Sequence, residues 1–275
     1  MSEVYLREDL QAAWRDRDIF DAAFDLEGEV YRAVATRRTL RTCIDGKVYF
    51  AKLHMGVGWD EIFKNLVTLK LPVIGAENEY RACRHLEEHG IQAPRVAAYG
   101  RRGGNPARVR SFVITDELAG RESLEDLTNR WFDDPPHPAR KRALVMAVAG
   151  FARRFHGAGV IHRDFYICHL LLDVKKFTQN VVDLAVLDLH RAQIHTRIPR
   201  RWLIRDLAAL LFSTLDLPLS RRAWLRFVRV YRARPLREVF AEEGVFWEAV
   251  YQRALMLYRK AGKTGLVKGY FDAAG

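Results

Sequence analysis

The chain lacks what would hold a small fold together covalently or carry a segment across a bilayer. Its 275 residues contain three cysteines, Cys43, Cys83 and Cys168. They are too few and too scattered for a disulfide framework or a zinc site, so a reducing compartment is expected. No apolar run approaches the ~20 residues needed to span a bilayer. The opening Met1-Ser2-Glu3-Val4-Tyr5 is acidic within three residues and has no apolar signal region. No repeat or low-complexity segment is present. The expectation is a cytosolic protein, or one held on a membrane from outside.

Acidic residues are also in deficit, with 34 Asp and Glu against 45 Lys and Arg and a formal net charge of +11. Such an excess speaks to partners, not to fold. It suits an anionic lipid, a phosphorylated glycan, an acidic protein or nucleic acid. No recognised nucleic-acid-binding motif accompanies the basic residues, so nucleic acid is the least favoured.

The pattern changes near Leu118. Strand-like runs come first, at Val30 to Val34, Thr39 to Ile44, Lys47 to Leu53 and Ser111 to Thr115, with Asp45-Gly46 as a hairpin turn. Long helical patterns follow, beginning with Arg140 to His156. Residues 1–117 and 118–275 are therefore expected as two lobes joined near Asp116 to Ala119. Two helices are expected inside the first lobe. One, at about 58–70, has Trp59, Ile62, Phe63, Leu66 and Val67 at helical spacing, a stripe that suits core packing or a lipid surface. The other, at about 76–89, ends at Gly90. Its apolar stripe of Ala82, Cys83 and Leu86 also contains Glu79. An acid on a buried face needs a cationic partner.

The chemistry concentrates further on. Val160-Ile161-His162-Arg163-Asp164 follows a helix and Gly157-Ala158-Gly159. Two short apolar strands come next, each with an acid at its end: Leu170-Leu171-Leu172-Asp173 and Leu184-Ala185-Val186-Leu187-Asp188. Phosphoryl transfer uses such acids, one to orient the attacking hydroxyl and one to hold magnesium.

In that order these elements resemble the catalytic core of protein kinases, which implies an α+β, protein-kinase-like bilobal fold with an antiparallel-sheet first lobe and a mostly helical second lobe. By the same resemblance Asp164 orients the acceptor hydroxyl, Asp188 holds Mg2+, and Lys52, closing Val48-Tyr49-Phe50-Ala51-Lys52, contacts ATP phosphates with Glu79 as its partner. Glu117 and Leu118 correspond to the adenine hinge. Asp206, read as opening a helix Leu207 to Phe212, and His162 support the catalytic loop. The glycine-rich phosphate loop is missing, and Ala35-Thr36-Arg37-Arg38-Thr39 stands in its turn, making Arg37 and Arg38 candidate phosphate ligands. His169 occupies the place of an asparagine metal ligand. No Ala-Pro-Glu follows, and eighteen positions separate Asp188 from Asp206. The peptide-binding segment is thus absent and a small-molecule or glycan acceptor is favoured.

Longer phrases narrow the likeness. Val57-Gly58-Trp59-Asp60-Glu61-Ile62-Phe63-Lys64-Asn65-Leu66, His162-Arg163-Asp164-Phe165-Tyr166-Ile167-Cys168-His169 and Leu187-Asp188-Leu189-His190-Arg191 resemble the lipopolysaccharide core heptose kinases, the Kdo/WaaP lipopolysaccharide kinase family. The resemblance implies ATP-dependent phosphorylation of a sugar hydroxyl of the lipopolysaccharide inner core, heptose I first, peripheral to the cytoplasmic face of the inner membrane. Kdo kinase, another small-molecule or protein kinase, and a non-catalytic anion-binding module are the alternatives. Between Leu217 and Leu236 lie six arginines and no acid, and Arg222, Arg226 and Arg229 share a helix face. With Arg191, Arg200 and Arg201 they are candidates to grip the carboxylates and phosphates of such an acceptor, or form a solvated face beside an acidic protein partner.

Overall fold

A computed structural model describes residues 2–34, 36–56, 75–105 and 107–263. The expected helix at about 58–70, with Trp59 and its stripe, lies outside the described residues, as does Ala35. The chain divides into two compact units. The first comprises residues 1–88, 93–119 and 188–191; the second comprises 89–92, 120–187 and 192–275. The division falls after Ala119, three residues from the expected joint region's start, and the short stretch carrying Asp188 belongs to the first unit.

The first unit is built on a six-stranded antiparallel sheet in the order β1-β5-β6-β4-β3-β2. The strands are β1 (Ser2–Leu6), β2 (Glu29–Val34), β3 (Arg37–Ile44), β4 (Lys47–His54), β5 (Val96–Arg102) and β6 (Arg110–Asp116). Asp45 and Gly46 both have positive φ, 47° and 77°, which matches the twist of a two-residue hairpin between β3 and β4. Arg37 and Arg38 lie within β3, paired with Val34 and Ala33, so the turn they were expected to occupy is shorter and precedes them.

Sequence patterning missed β1, β5 and two short helices, α1 (Glu8–Ala13) and α2 (Ile19–Phe24). Leu10, Trp14 and Phe20 bury against Leu40, Leu53, Phe112 and Ile114. Each of these helices is too short for a periodic signal. What fixes them is long-range: Arg7 donates to both Asp9 and Asp116, and Lys47 and Tyr49 also reach Asp9. Helix α3 (Glu77–Glu88) buries Glu79, Ala82, Cys83 and Leu86, the face its periodicity defines.

The second unit is mainly helical. Its helices are α4 (Leu124–Asn129), α5 (Pro138–Gly157), α6 (Val174–Thr178), α7 (Arg200–Phe212), α8 (Arg221–Arg232) and α9 (Leu236–Lys260). Small sheets join β7 (Arg121–Ser123), β9 (Leu170–Asp173) and β10 (Leu184–Val186), and pair β8 (Val160–Ile161) with β11 (Gln193–Ile194). Helix α8 turns Ala223, Trp224, Phe227, Val228 and Tyr231 inward, leaving Arg222 and Arg229 exposed and Arg226 half-buried. Helix α7 begins at Arg200 after Pro199, so Asp206 sits in its middle and does not open it; the apolar run from Leu207 marks only the buried half of the helix.

Gly159 links α5 to β8 at φ 79°, and its amide region faces His195 so closely that an added Cβ would lie 2.2 Å from the His195 carbonyl oxygen. The two residues also hydrogen-bond, His195 N–H donating to the Gly159 carbonyl. Gly159→Ala is expected to lower stability by about 1–3 kcal/mol from backbone conformation alone, with the clash adding to it. An urea melt measures this, and an unchanged midpoint would contradict the packing described.

Candidate active site

On the first unit, Lys52 leaves β4 from the sheet and points to α3. Its Nζ donates to Glu79 Oε1 at 2.7 Å and to Asp188 Oδ1 at 3.0 Å. The Lys52 and Glu79 side chains are 17% and 4% exposed, so this is a buried charge cluster. Burial works against the ammonium group, yet Glu79 and Asp188 outweigh it and raise the Lys52 pKa. Asp188 follows β10 by two residues and adopts a left-handed φ of 58°, which turns its carboxylate onto Lys52 and His190. His190 Nδ1 lies 2.8 Å from Asp188 Oδ1. Burial pushes the Asp188 carboxyl up, but the His190 hydrogen bond and the Lys52 charge hold it well below the usual carboxylate range.

His54, at the end of β4, completes this neighbourhood. It is buried, and its Nε2 has no hydrogen-bond partner among the described residues. Burial, with repulsion from Arg37, Lys52 and His190, lowers its pKa from 6.5 to about 4. Arg38 Nη2 donates to the carbonyls of Phe24 and Leu26, which ties the end of α2 to the sheet. At the expected hinge, Glu117 N–H donates to the Val48 carbonyl at 3.4 Å, and its carboxylate takes both Nε and Nη2 of Arg41.

On the second unit, the loop from His162 to His169 carries Asp164. Asp206, 1% exposed, accepts the backbone N–H of His162 at 2.6 Å and of Arg163 at 2.8 Å. These two charge-assisted bonds hold Arg163 at φ 72°, a left-handed conformation that costs a non-glycine residue about 1–3 kcal/mol. His162 is fully buried; its Nε2 lies 2.7 Å from the Leu187 carbonyl, and Asp164 N–H points to its Nδ1 at 3.3 Å. A carbonyl can only accept, so the proton sits on Nε2 and Nδ1 accepts. Burial lowers the His162 pKa and keeps the ring neutral in that role.

Behind Asp206 lies a layer that sequence reading missed. His156 Nε2 is 3.5 Å from Asp206, and its Nδ1 is 2.9 Å from the Tyr231 hydroxyl on α8. Phe155-His156 was legible as a helix end, but nothing local connects it to Tyr231, 75 residues away.

His169 stacks on His162, with ring centroids 5.3 Å apart, and its Nδ1 lies 2.7 Å from the Asp164 carbonyl. Any bond from this ring to a metal or phosphate must therefore use Nε2. With Nδ1 donating, the neutral ring presents a lone pair there, a poor match for magnesium, which prefers oxygen. Among the described residues no group of three or more His, Cys, Asp or Glu could hold an ion by itself. Asp188 is the described carboxylate here that would offer a magnesium ion the oxygen ligand it prefers.

A strand lysine bonded to a buried helical acid, an His-Arg-Asp loop braced by a carboxylate, and an aspartate after a short strand define a protein-kinase-like fold of the α+β class. The model of the lipopolysaccharide kinase (Kdo/WaaP) family matches residues 21–231. The chain is 48% identical over 263 residues to the lipopolysaccharide core heptose(I) kinase WaaP of Pseudomonas aeruginosa, covering 95% of this chain and 98% of that one. It is 40% identical over 265 residues to the enzyme of that name from Escherichia coli K12, with 96% and 100% coverage. A solved structure of WaaP in complex with acyl carrier protein superposes with a TM-score of 0.81 at 43% identity, covering 93% of this chain and 99% of that one. The chain belongs to the lipopolysaccharide kinase (Kdo/WaaP) family.

The lowered His54 pKa has a signed consequence. The unfolded ring takes up a proton near pH 6.5 and the folded ring only near pH 4, so the penalty is absent above pH 6.5. Stability should fall by about 1.4 kcal/mol for each pH unit between those values. Urea unfolding of the wild type and of His54→Asn across pH 7 to 4.5 measures it. Equal slopes for the two proteins would remove His54 as the cause.

Proposed function

We propose that this protein is an ATP-dependent kinase that phosphorylates a sugar hydroxyl of the lipopolysaccharide inner core, with heptose I as acceptor. The observation that carries the chemistry is the Lys52–Glu79–Asp188 cluster, which keeps a fixed positive charge beside an ionised carboxylate. The acceptor rests on the heptose(I) kinases that share 40–48% of its residues.

In this reading Lys52, oriented by Glu79, donates to α- and β-phosphate oxygens of ATP. Asp188 would hold magnesium, which would supply charge neutralisation to the phosphates. Asp164 orients the heptose hydroxyl and takes its proton. The hydroxyl oxygen then bonds to the γ-phosphorus as the bridging oxygen departs on ADP. Positioning and charge neutralisation supply the acceleration. Arg37 lies near His54 on β3 and serves the phosphates, while the Glu117 and Leu118 backbone meets the adenine. His169 acts mainly by fixing the Asp164 backbone.

Arg191, Arg200, Arg201 and the α8 face of Arg222, Arg226 and Arg229 serve an anionic surface or partner. The solved relative bound to acyl carrier protein favours such an acidic carrier for this chain too. Among the described residues no helix is long and apolar enough to cross a membrane. The protein works at the cytoplasmic face of the inner membrane, where basic residues meet anionic lipid.

The test uses purified protein, Mg2+, labelled ATP and core lipopolysaccharide lacking inner-core phosphate, with the same glycolipid already phosphorylated on heptose I as control. Transfer to the first alone is expected. Asp164→Ala should lose about 10²–10⁴-fold in kcat while remaining folded and binding ATP. Wild-type turnover by that variant would reject the assignment of Asp164. Transfer to neither glycolipid would reject the acceptor.

A further inference from the structure

Protein kinases carry Val-Ala-Ile-Lys on the strand that supplies their phosphate-binding lysine. Here that strand reads Tyr49-Phe50-Ala51-Lys52, so a phenyl ring stands where the motif has a methyl group. Strand alternation decides which way the ring points. Tyr49, Ala51 and Leu53 of β4 are buried in the core formed with Leu10, Phe20 and Phe112. Phe50 and Lys52 therefore share the opposite face, the one from which Lys52 reaches Glu79 and Asp188. Phe50 is only half-buried there.

Other parts of the first unit gather around that ring. The pairing of β2 with β3 steps from Val30 opposite Leu40 to Arg32 opposite Thr39, so Tyr31 is the extra residue of a bulge. Bulges re-aim side chains and recur beside active sites. This one brings the Tyr31 ring across β3 to the Phe50 ring, edge to face at 69° with centroids 5.3 Å apart. Tyr31 stays 59% exposed, so burial does not account for its place. Arg41, directly opposite Phe50 on β3, spans β4 to the Glu117 carboxylate, with Nε at 2.7 Å and Nη2 at 3.2 Å. Glu117 N–H bonds the Val48 carbonyl, which puts this ion pair on the hairpin side of Phe50. Lys52 lies on the other side, two residues or roughly 7 Å along the strand.

We propose that Phe50, with Tyr31 beside it, is an aromatic platform for the base of the nucleoside triphosphate. Lys52 bounds it at the phosphate end and the Arg41–Glu117 ion pair at the other. This rests on the reading of Lys52 as a phosphate ligand and adds what holds the base. With Lys52 on the α- and β-phosphates, a nucleotide laid along β4 has its ribose between Lys52 and Phe50 and its base over the phenyl ring. A methyl group there offers only bulk, whereas a ring offers a π-face for stacking. Base–aromatic stacking accepts any base, because every base has a π-face. The platform therefore supplies affinity, and the choice among bases is left to the backbone at Glu117 and Leu118.

The test is equilibrium binding to the intact protein, by calorimetry with Mg2+, of ATP and of tripolyphosphate, which has the phosphates without the base. Phe50→Ala and Phe50→Leu should each weaken ATP at least about fivefold, the lower end of a base–aromatic stack. Both should leave tripolyphosphate unchanged, and Phe50→Trp should restore ATP affinity. Tyr31→Ala should also weaken ATP and spare tripolyphosphate. A smaller loss in both Phe50 variants would overturn the platform, and tighter ATP binding would show that the ring obstructs the base. Equal losses for ATP and tripolyphosphate would overturn it too, because a distorted sheet moves both. If Phe50→Ala does not fold, Phe50→Leu, which keeps apolar bulk without a ring, and the exposed Tyr31→Ala carry the comparison. ATP binding that depends on Phe50 but gives no transfer to glycolipid would reject the acceptor and keep the platform. No ATP binding by the wild type would overturn both.

Discussion

An ammonium group placed inside a protein is costly unless carboxylates surround it, and the first unit is arranged around that requirement at Lys52. The two acids that satisfy it come from 27 and 136 residues away in sequence. Glu79 is delivered by one face of α3. Asp188 belongs to a four-residue stretch, residues 188–191, that leaves the helical half of the chain and joins the sheet unit. The left-handed φ of Asp188, its bond from His190 and the contacts of that stretch with α3 serve the same end. A single buried charge thus fixes a helix, a strand and a distant turn together.

The second unit solves a related problem with the opposite sign. Asp206 is a buried carboxylate, and the loop's own backbone supplies the donors that make its burial tolerable. In return the loop is held where Arg163 would not rest alone. His156 and Tyr231 stand behind Asp206, and His162 and His169 stack in front. Asp164 is therefore carried on a segment whose backbone is bonded at nearly every residue. Rigid presentation of this kind suits the orienting role proposed for Asp164.

Much of this was legible before any coordinates. Glu79 stood out because an acid on an apolar helical stripe has few explanations, and it is indeed buried against Lys52. The β3–β4 hairpin, α3, α5 and the order of the acids followed from periodicity and turn chemistry. Helices α1 and α2 and strands β1 and β5 did not, because their stability comes from the Arg7, Asp9, Asp116 network and from packing on Phe112, which join residues far apart in the sequence. Arg38 was singled out by its place in the turn of the missing glycine-rich loop; its bonds from Nη2 to the carbonyls of Phe24 and Leu26 were not legible, because they join positions 12 and 14 residues apart. Tyr231 and His54 carried no signal, since a tyrosine in an apolar stripe and a histidine at a strand end are common.

The sequence alone determined the class: the lysine, the helical acid, His-Arg-Asp and the strand-end aspartate each sit in a short local pattern, and their order along the chain resembles the kinase core. The tertiary structure decided the electrostatics. Which charges are paired and which ring nitrogen holds the proton depend on residues tens to hundreds of positions apart being brought within a few ångströms. Coulomb energies rise steeply only at such distances and only where water is excluded, and no reading along the chain contains either quantity.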